Sequence, residues 1–138
     1  MKYSVVAFII LGFFALNGCE KDDLKGTDFE ELTGTWINPQ WNDTIITYQK
    51  SKGLKDNEYG FSINANGKFI ERKNAGFCGT PPVTYADYEG TWSKTDSLLI
   101  ISVGYWGGTE DIRWKIISLS KSSLSVAIVS QELTFENK

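Results

Sequence analysis

Chemistry in this chain has to be done without histidine, because none occurs in its 138 residues. The commonest general base and metal ligand near neutral pH is therefore missing, and neither a Ser-His nor a Cys-His nucleophile can be assembled. Two cysteines and a scatter of carboxylates remain. Cys78 lies in Phe77-Cys78-Gly79-Thr80-Pro81-Pro82, with Arg72 and Lys73 as the nearest basic residues in sequence; a Gly- and Pro-rich loop explains that segment without an activated thiolate. Asp87 and Glu89 stand two apart, so on a strand they share a face, the minimum geometry for an acid/base pair of the glycosidase kind. Two outward, solvated charges have the same spacing. Glu110-Asp111 beside Gly107-Gly108 offers oxygens to a cation, but the spacing fits no calcium loop and a polar turn accounts for it. The expectation is a non-enzyme with no catalytic residue, no metal site and no cofactor.

Cys19 carries a different chemistry. Lys2 supplies a positive start, Val5 to Leu16 is apolar apart from Gly12, and Leu16-Asn17-Gly18-Cys19 ends with a small residue before the cysteine, the pattern of a cleaved signal peptide over residues 1–18. That stretch is shorter than the roughly 20 apolar residues of a membrane-spanning helix, and Glu20-Lys21-Asp22-Asp23 provides no basic stop-transfer flank. The four closing residues resemble the bacterial lipoprotein signal, with Asn17 where Ala, Ser or Thr is usual. The resemblance implies a diacylglycerol thioether on Cys19, and two or three acyl chains at about 0.8 kcal/mol per buried methylene suffice to hold a domain at a membrane. Lys21-Asp22-Asp23 is similar to an acidic export signal, which implies lipid-anchored display on the outer membrane at the cell surface; a periplasm-facing anchor, with the charges as a solvated tether, is the alternative.

Removing residues 1–18 leaves 120 residues, one domain's worth, with a net charge that goes from −3 to −4 once Lys2 is lost. No basic stripe interleaved with aromatics suggests a nucleic-acid groove. With Cys19 consumed by lipid, Cys78 is left unpaired in an oxidising compartment, and burial is its usual fate. A lipidated acidic tether is expected over residues 19–31 and a folded domain over 32–138.

The elements that must position any site are strands. Short runs rich in Ile, Val, Thr and aromatics are punctuated by Gly, Asn, Asp and Ser, and helical periodicity is nearly absent. Tyr59-Gly60-Phe61-Ser62-Ile63 alternates and leads into Asn66-Gly67, a hairpin signal, with Lys68 to Lys73 returning. Val83 to Ser93 turns through Lys94-Thr95-Asp96-Ser97 into Leu98 to Val103, whose continuous apolar run predicts burial on both faces. Ile112, Trp114 and Ile116 alternate with charges, Ser120 to Ser123 turn, and Leu124, Val126 and Ile128 alternate again before Leu133 and Phe135. With Thr33 to Asn38 and Thr44 to Lys50 the count is eight. Eight antiparallel strands avoid exposed edges by closing, so an all-β, up-and-down barrel is the expected fold, with a two-sheet sandwich as rival. Thr27-Asp28-Phe29-Glu30 has capping-box spacing, so a short helix precedes the first strand and plugs one end.

Leu32-Thr33-Gly34-Thr35-Trp36 on the first strand resembles the Gly-x-Trp signature of lipocalins and of shorter bacterial lipocalin-like lipoproteins, and Gly90-Thr91-Trp92 repeats it. The resemblance implies that Trp36 packs across the closed end of a barrel that binds a small hydrophobic ligand. It also implies a basic side chain over that Trp, for which Arg113 is the candidate although its register turns it outward. The chain is shorter than an ordinary lipocalin, which argues against a deep calyx.

Nineteen aromatic residues, five of them Trp, are the best functional lead. Trp36, Tyr59, Phe61, Tyr88, Trp92 and Trp114 are expected to face inward and are the ligand-binding candidates, unless they fill the barrel as core. Trp41, Tyr105 and Trp106 fall at loops, where they suit a glycan or protein partner. The expected function is noncatalytic binding of a small hydrophobic ligand; a surface interaction module is the alternative.

Overall fold

The computed structural model describes residues 27–76 and 81–137. The signal segment, Cys19 and Cys78 lie outside the described residues. The chain forms the all-β, eight-stranded closed antiparallel barrel expected from its alternating runs: α1 (Thr27–Leu32), then β1 (Gly34–Asn42), β2 (Ile45–Ser51), β3 (Gly60–Ile63), β4 (Lys68–Asn74), β5 (Tyr85–Thr95), β6 (Leu98–Tyr105), β7 (Gly108–Leu119) and β8 (Ser123–Phe135).

From β3 to β8 each strand pairs with its sequence neighbour, but the ring closes as β1-β2-β8-β7-β6-β5-β4-β3, so β1 lies between β2 and β3, and β2 takes the place beside β8. This departs from strict up-and-down order. Residues 52–59 consequently cross over the outside of β1. Leu54 and Ile37 meet over Gly60 on that outer face, which leaves Ile37 only 6% exposed although its neighbour Trp36 is the one facing the core. Arg72 fastens the crossover from β4. It donates through Nη1 to the Lys55 carbonyl at 3.1 Å and holds Asp87 of β5 through Nε and Nη2 at 2.6 and 2.9 Å.

The helix closes one end, as its capping-box spacing predicts. Leu32 is fully buried, Phe29 lies 5.3 Å from the Trp92 ring, and the Leu32 carbonyl accepts the Trp36 indole N–H at 2.9 Å. Lys50 of β2 lies 5.0 Å over the Trp36 ring and donates to the Glu31 carbonyl at 2.6 Å. The basic residue over the signature Trp is thus Lys50, not Arg113, which is exposed on the outer face of β7. Gly34 is required where it stands, because its φ of +128° is disfavoured for an L side chain and a Cβ there would sit 2.7 Å from Lys50 Cε. Trp92, the second signature Trp, donates its indole N–H to the Asn64 carbonyl at 2.8 Å in the β3–β4 turn.

Above this plug the interior is filled by aromatics. Phe61 stacks on Phe69 at 5.4 Å, meets Tyr48 edge-on at 4.8 Å and lies 5.4 Å from Trp114. The apolar run of β6 behaves differently from its expectation. Leu99, Ile101 and Val103 are buried, while Leu98, Ile100 and Ser102 are only half-covered, because alternate residues of a strand in a closed barrel point to its outer face.

Candidate functional site

The barrel opens at the end opposite α1, where β1 turns into β2 and β6 into β7. A cavity of about 330 Å³ lies in this mouth, lined by Pro39, Trp41, Ile46, Tyr48, Tyr59, Glu71, Lys73, Glu110, Ile112, Trp114, Ile128 and Gln131. That volume is near the lower limit of ligand-sized pockets, about 300 to 1,000 Å³. The Tyr48, Phe61 and Trp114 rings block it from the closed end.

Two backbone irregularities aim side chains into this space. The β1–β2 register slips between Ile37 and Gln40, so Asn38 and Pro39 together oppose Tyr48. Asn38 takes a φ of +61° there, which Asn tolerates better than most residues, and Pro39 has no N–H to lose. The extra residue reverses the alternation beyond it, so Trp41 continues the inward face that Trp36 begins. A second slip, between Arg113 and Trp114, leaves Val129 of β8 without a partner and turns Gln131 inward in the same way.

Polar groups gather in the lining nearer the mouth. In β4 the period of two set by buried Phe69 carries Glu71 and Lys73 inward, and in β7 the period of Ile112 and Trp114 does the same for Glu110. Glu71 and Glu110 are only 3% and 7% exposed. Lys73 Nζ bridges them, donating to Glu71 Oε2 at 2.7 Å and to Glu110 Oε2 at 2.6 Å. Tyr59 donates to Glu71 Oε1 at 2.7 Å, and Gln131 Nε2 donates to Glu110 Oε1. All four carboxylate oxygens are therefore engaged, and among the described residues no buried side-chain polar atom lacks a partner. Burial opposes the Lys73 charge, but the adjacent Glu71 and Glu110 more than offset it and hold its pKa above the ordinary lysine value. Burial also pushes the Tyr48 and Tyr59 hydroxyls up, with the Glu71 charge adding to the effect.

Of the aromatics singled out from sequence, Tyr59 and Trp114 line the cavity. Trp36 and Phe61 face inward but are fully buried below it, and Trp92 is packed at the closed end against Phe29. Tyr88 is half-buried, with Lys73 Nζ 5.7 Å from its ring centre. Trp41 is on β1 rather than in a loop, 64% exposed at the cavity rim. Tyr105 is the buried last residue of β6, 5.9 Å from the Phe135 ring, and Trp106 stands half-exposed in the turn after it.

The carboxylate pair Asp87 and Glu89 does share a face, but the outer one, and each is tied to β4: Asp87 to Arg72, and Glu89 to Lys68 at 2.8 Å. Glu110 and Asp111 do not form a polar turn, since both are within β7 and Asp111 alone is exposed. Sequence reasoning passed over Glu71, Lys73 and Gln131. The alternation from Phe69 would have found the first two, whereas Gln131 depends on a bulge that no residue type announces. Among the described residues no group of carboxylates and thiols could hold a metal ion, and no helix is long and apolar enough to cross a membrane. Comparison of the chain with protein-family models, with curated proteins and with solved structures finds no match in any of the three.

Proposed function

We propose that this protein is a membrane-tethered, lipocalin-like barrel that binds a small, largely apolar molecule in its open mouth without transforming it. The observation that carries this reading is the cavity itself. Trp41, Ile46, Ile112, Trp114 and Ile128 give it apolar walls, and a few buried polar side chains offer points of orientation, the combination typical of small-molecule sites. Binding is favoured over turnover because Glu71 and Glu110, the carboxylates in the cavity, have every oxygen occupied by Lys73, Tyr59 or Gln131. The aromatic filling below leaves space for a single-chain or fragment-sized molecule, not for a diacyl lipid.

Lipidation at Cys19 belongs to the same proposal. Thr27, the first described residue, is at the closed end, so a tether leading to an anchored Cys19 would leave the mouth pointing away from the membrane. This suits a protein at the outer membrane that samples the space beyond it, at the cell surface or in the periplasm.

Titration with N-phenyl-1-naphthylamine, a neutral apolar fluorophore, tests the reading. Saturable one-to-one binding that Trp41→Ala weakens at least about tenfold and Trp106→Ala leaves intact is the expected result. Absence of saturable binding would reject it. A second reading, docking of a glycan or protein partner, is favoured by Trp106, Leu133 and Phe135, which are 45%, 53% and 63% exposed at the same end. Under that reading Trp106→Ala abolishes partner binding and the fluorophore is ignored.

A further inference from the structure

We propose that the mouth cavity selects its ligand by the sign of the head group and takes a primary alkylammonium: a short apolar chain ending in a protonated amine. The inference rests on the binding reading above and names the ligand's chemical class.

The cavity lining holds two carboxylates, Glu71 and Glu110, and one ammonium, Lys73, so it carries a net charge of −1 among groups almost withdrawn from water. Lys73 is the one cation among the described residues lining the cavity, and its carboxylate contacts at 2.7 and 2.6 Å hold it between the two acids. An anionic head group would meet no uncommitted positive charge and would bring a second excess negative charge into a poorly hydrated site, a costly arrangement. A protonated amine has the opposite effect. It neutralises the excess charge, and its N–H groups can replace Tyr59 on Glu71 Oε1 or Gln131 on Glu110 Oε1. Both displaced donors are neutral and lie at the cavity lining, where a ligand atom or water can take up their hydrogens.

The walls favour the same class. Trp41 and Trp114 present aromatic rings in the cavity, and indole faces attract a partly desolvated ammonium. Asp43, in the β1–β2 turn, and Glu136, whose N–H bonds to the Gly107 carbonyl at 3.0 Å in the β6–β7 turn, add negative charge around the same opening. Such a rim raises the local concentration of cations.

The test uses the full chain, labelled with 5-fluorotryptophan and held in nanodiscs. Its five indoles report separately by fluorine NMR, so ligand in the cavity, which moves Trp41 and Trp114, is distinguished from ligand in the disc. Hexylammonium, hexanol and hexanoate share one chain and differ in head group. Hexylammonium binding at least about tenfold more tightly than hexanol, with hexanoate weakest, is the expected order. Raising salt from about 20 to about 500 mM should weaken hexylammonium while sparing hexanol. In Glu110→Gln the preference over hexanol should fall below about threefold, with the Trp36 and Trp92 signals in place to show that the barrel is intact. Equal binding of all three, or tightest binding of hexanoate, overturns the cation preference but leaves an apolar binding site. Failure of every probe to move Trp41 and Trp114 overturns the binding reading as well.

Discussion

Lys73 is the residue on which the mouth depends. One ammonium serves two buried carboxylates, so replacing it leaves both unpaired in a poorly hydrated setting. Lys73→Met should therefore cost about 3 to 5 kcal/mol at pH 7, measured by urea unfolding. The alkaline side has its own signature. Lys73, Tyr48 and Tyr59 all have folded-state pKa values above their ordinary ones, 10.5 for Lys and 10.0 for Tyr. The folded protein thus holds protons that the unfolded chain releases above about pH 10. Their contribution is complete below that pH and is lost as pH rises through it. Unfolding free energy measured at rising pH should hold level and then fall beyond about pH 10, with a shallower fall in Tyr59→Phe. Trp41 lines the same cavity. Because the ring is 64% exposed, its removal should change stability by less than about 0.5 kcal/mol while weakening ligand binding.

How much of each element could be read in advance follows from how local its signal is. Period-two alternation in Tyr59 to Ile63 and in Ile112 to Ile116, the Asn66-Gly67 turn and the six-residue helix before Gly34 are each encoded within a few residues, and each appears in the fold. The bulge at Asn38 and Pro39 was not legible. Pro39 reads as the end of a strand, and only a partner strand reveals that two residues face one. Trp41 consequently read as a loop residue. The place of β2 beside β8 was hidden for a like reason: an eight-residue connection is compatible with a hairpin or a crossover, and the choice rests on Leu54 covering Ile37 and on Arg72 reaching the Lys55 carbonyl. Arg72→Ala should leave the barrel folded but expose the crossover, seen as faster tryptic cleavage at Lys52 and Lys55. Gly34→Ala acts at the other end. Its positive φ and the nearby Lys50 chain predict a loss of about 1 to 3 kcal/mol by thermal or urea unfolding.

The molecule as a whole is a barrel with two unlike ends. A helix, Trp36 and Trp92 seal one; at the other the strands surround a small cavity lined by apolar side chains and an ionic cluster. That polarity, with the chain entering at the sealed end, suits the binding role proposed above for a fold that many functions share. The most direct test is native mass spectrometry of the protein incubated with a lipid and metabolite extract of the source cells. A single one-to-one adduct of single-chain size, absent from Trp41→Ala, is the predicted result and would identify the ligand by mass. A barrel that stays bare while a known lipid binder in the same extract loads its cargo would contradict the account.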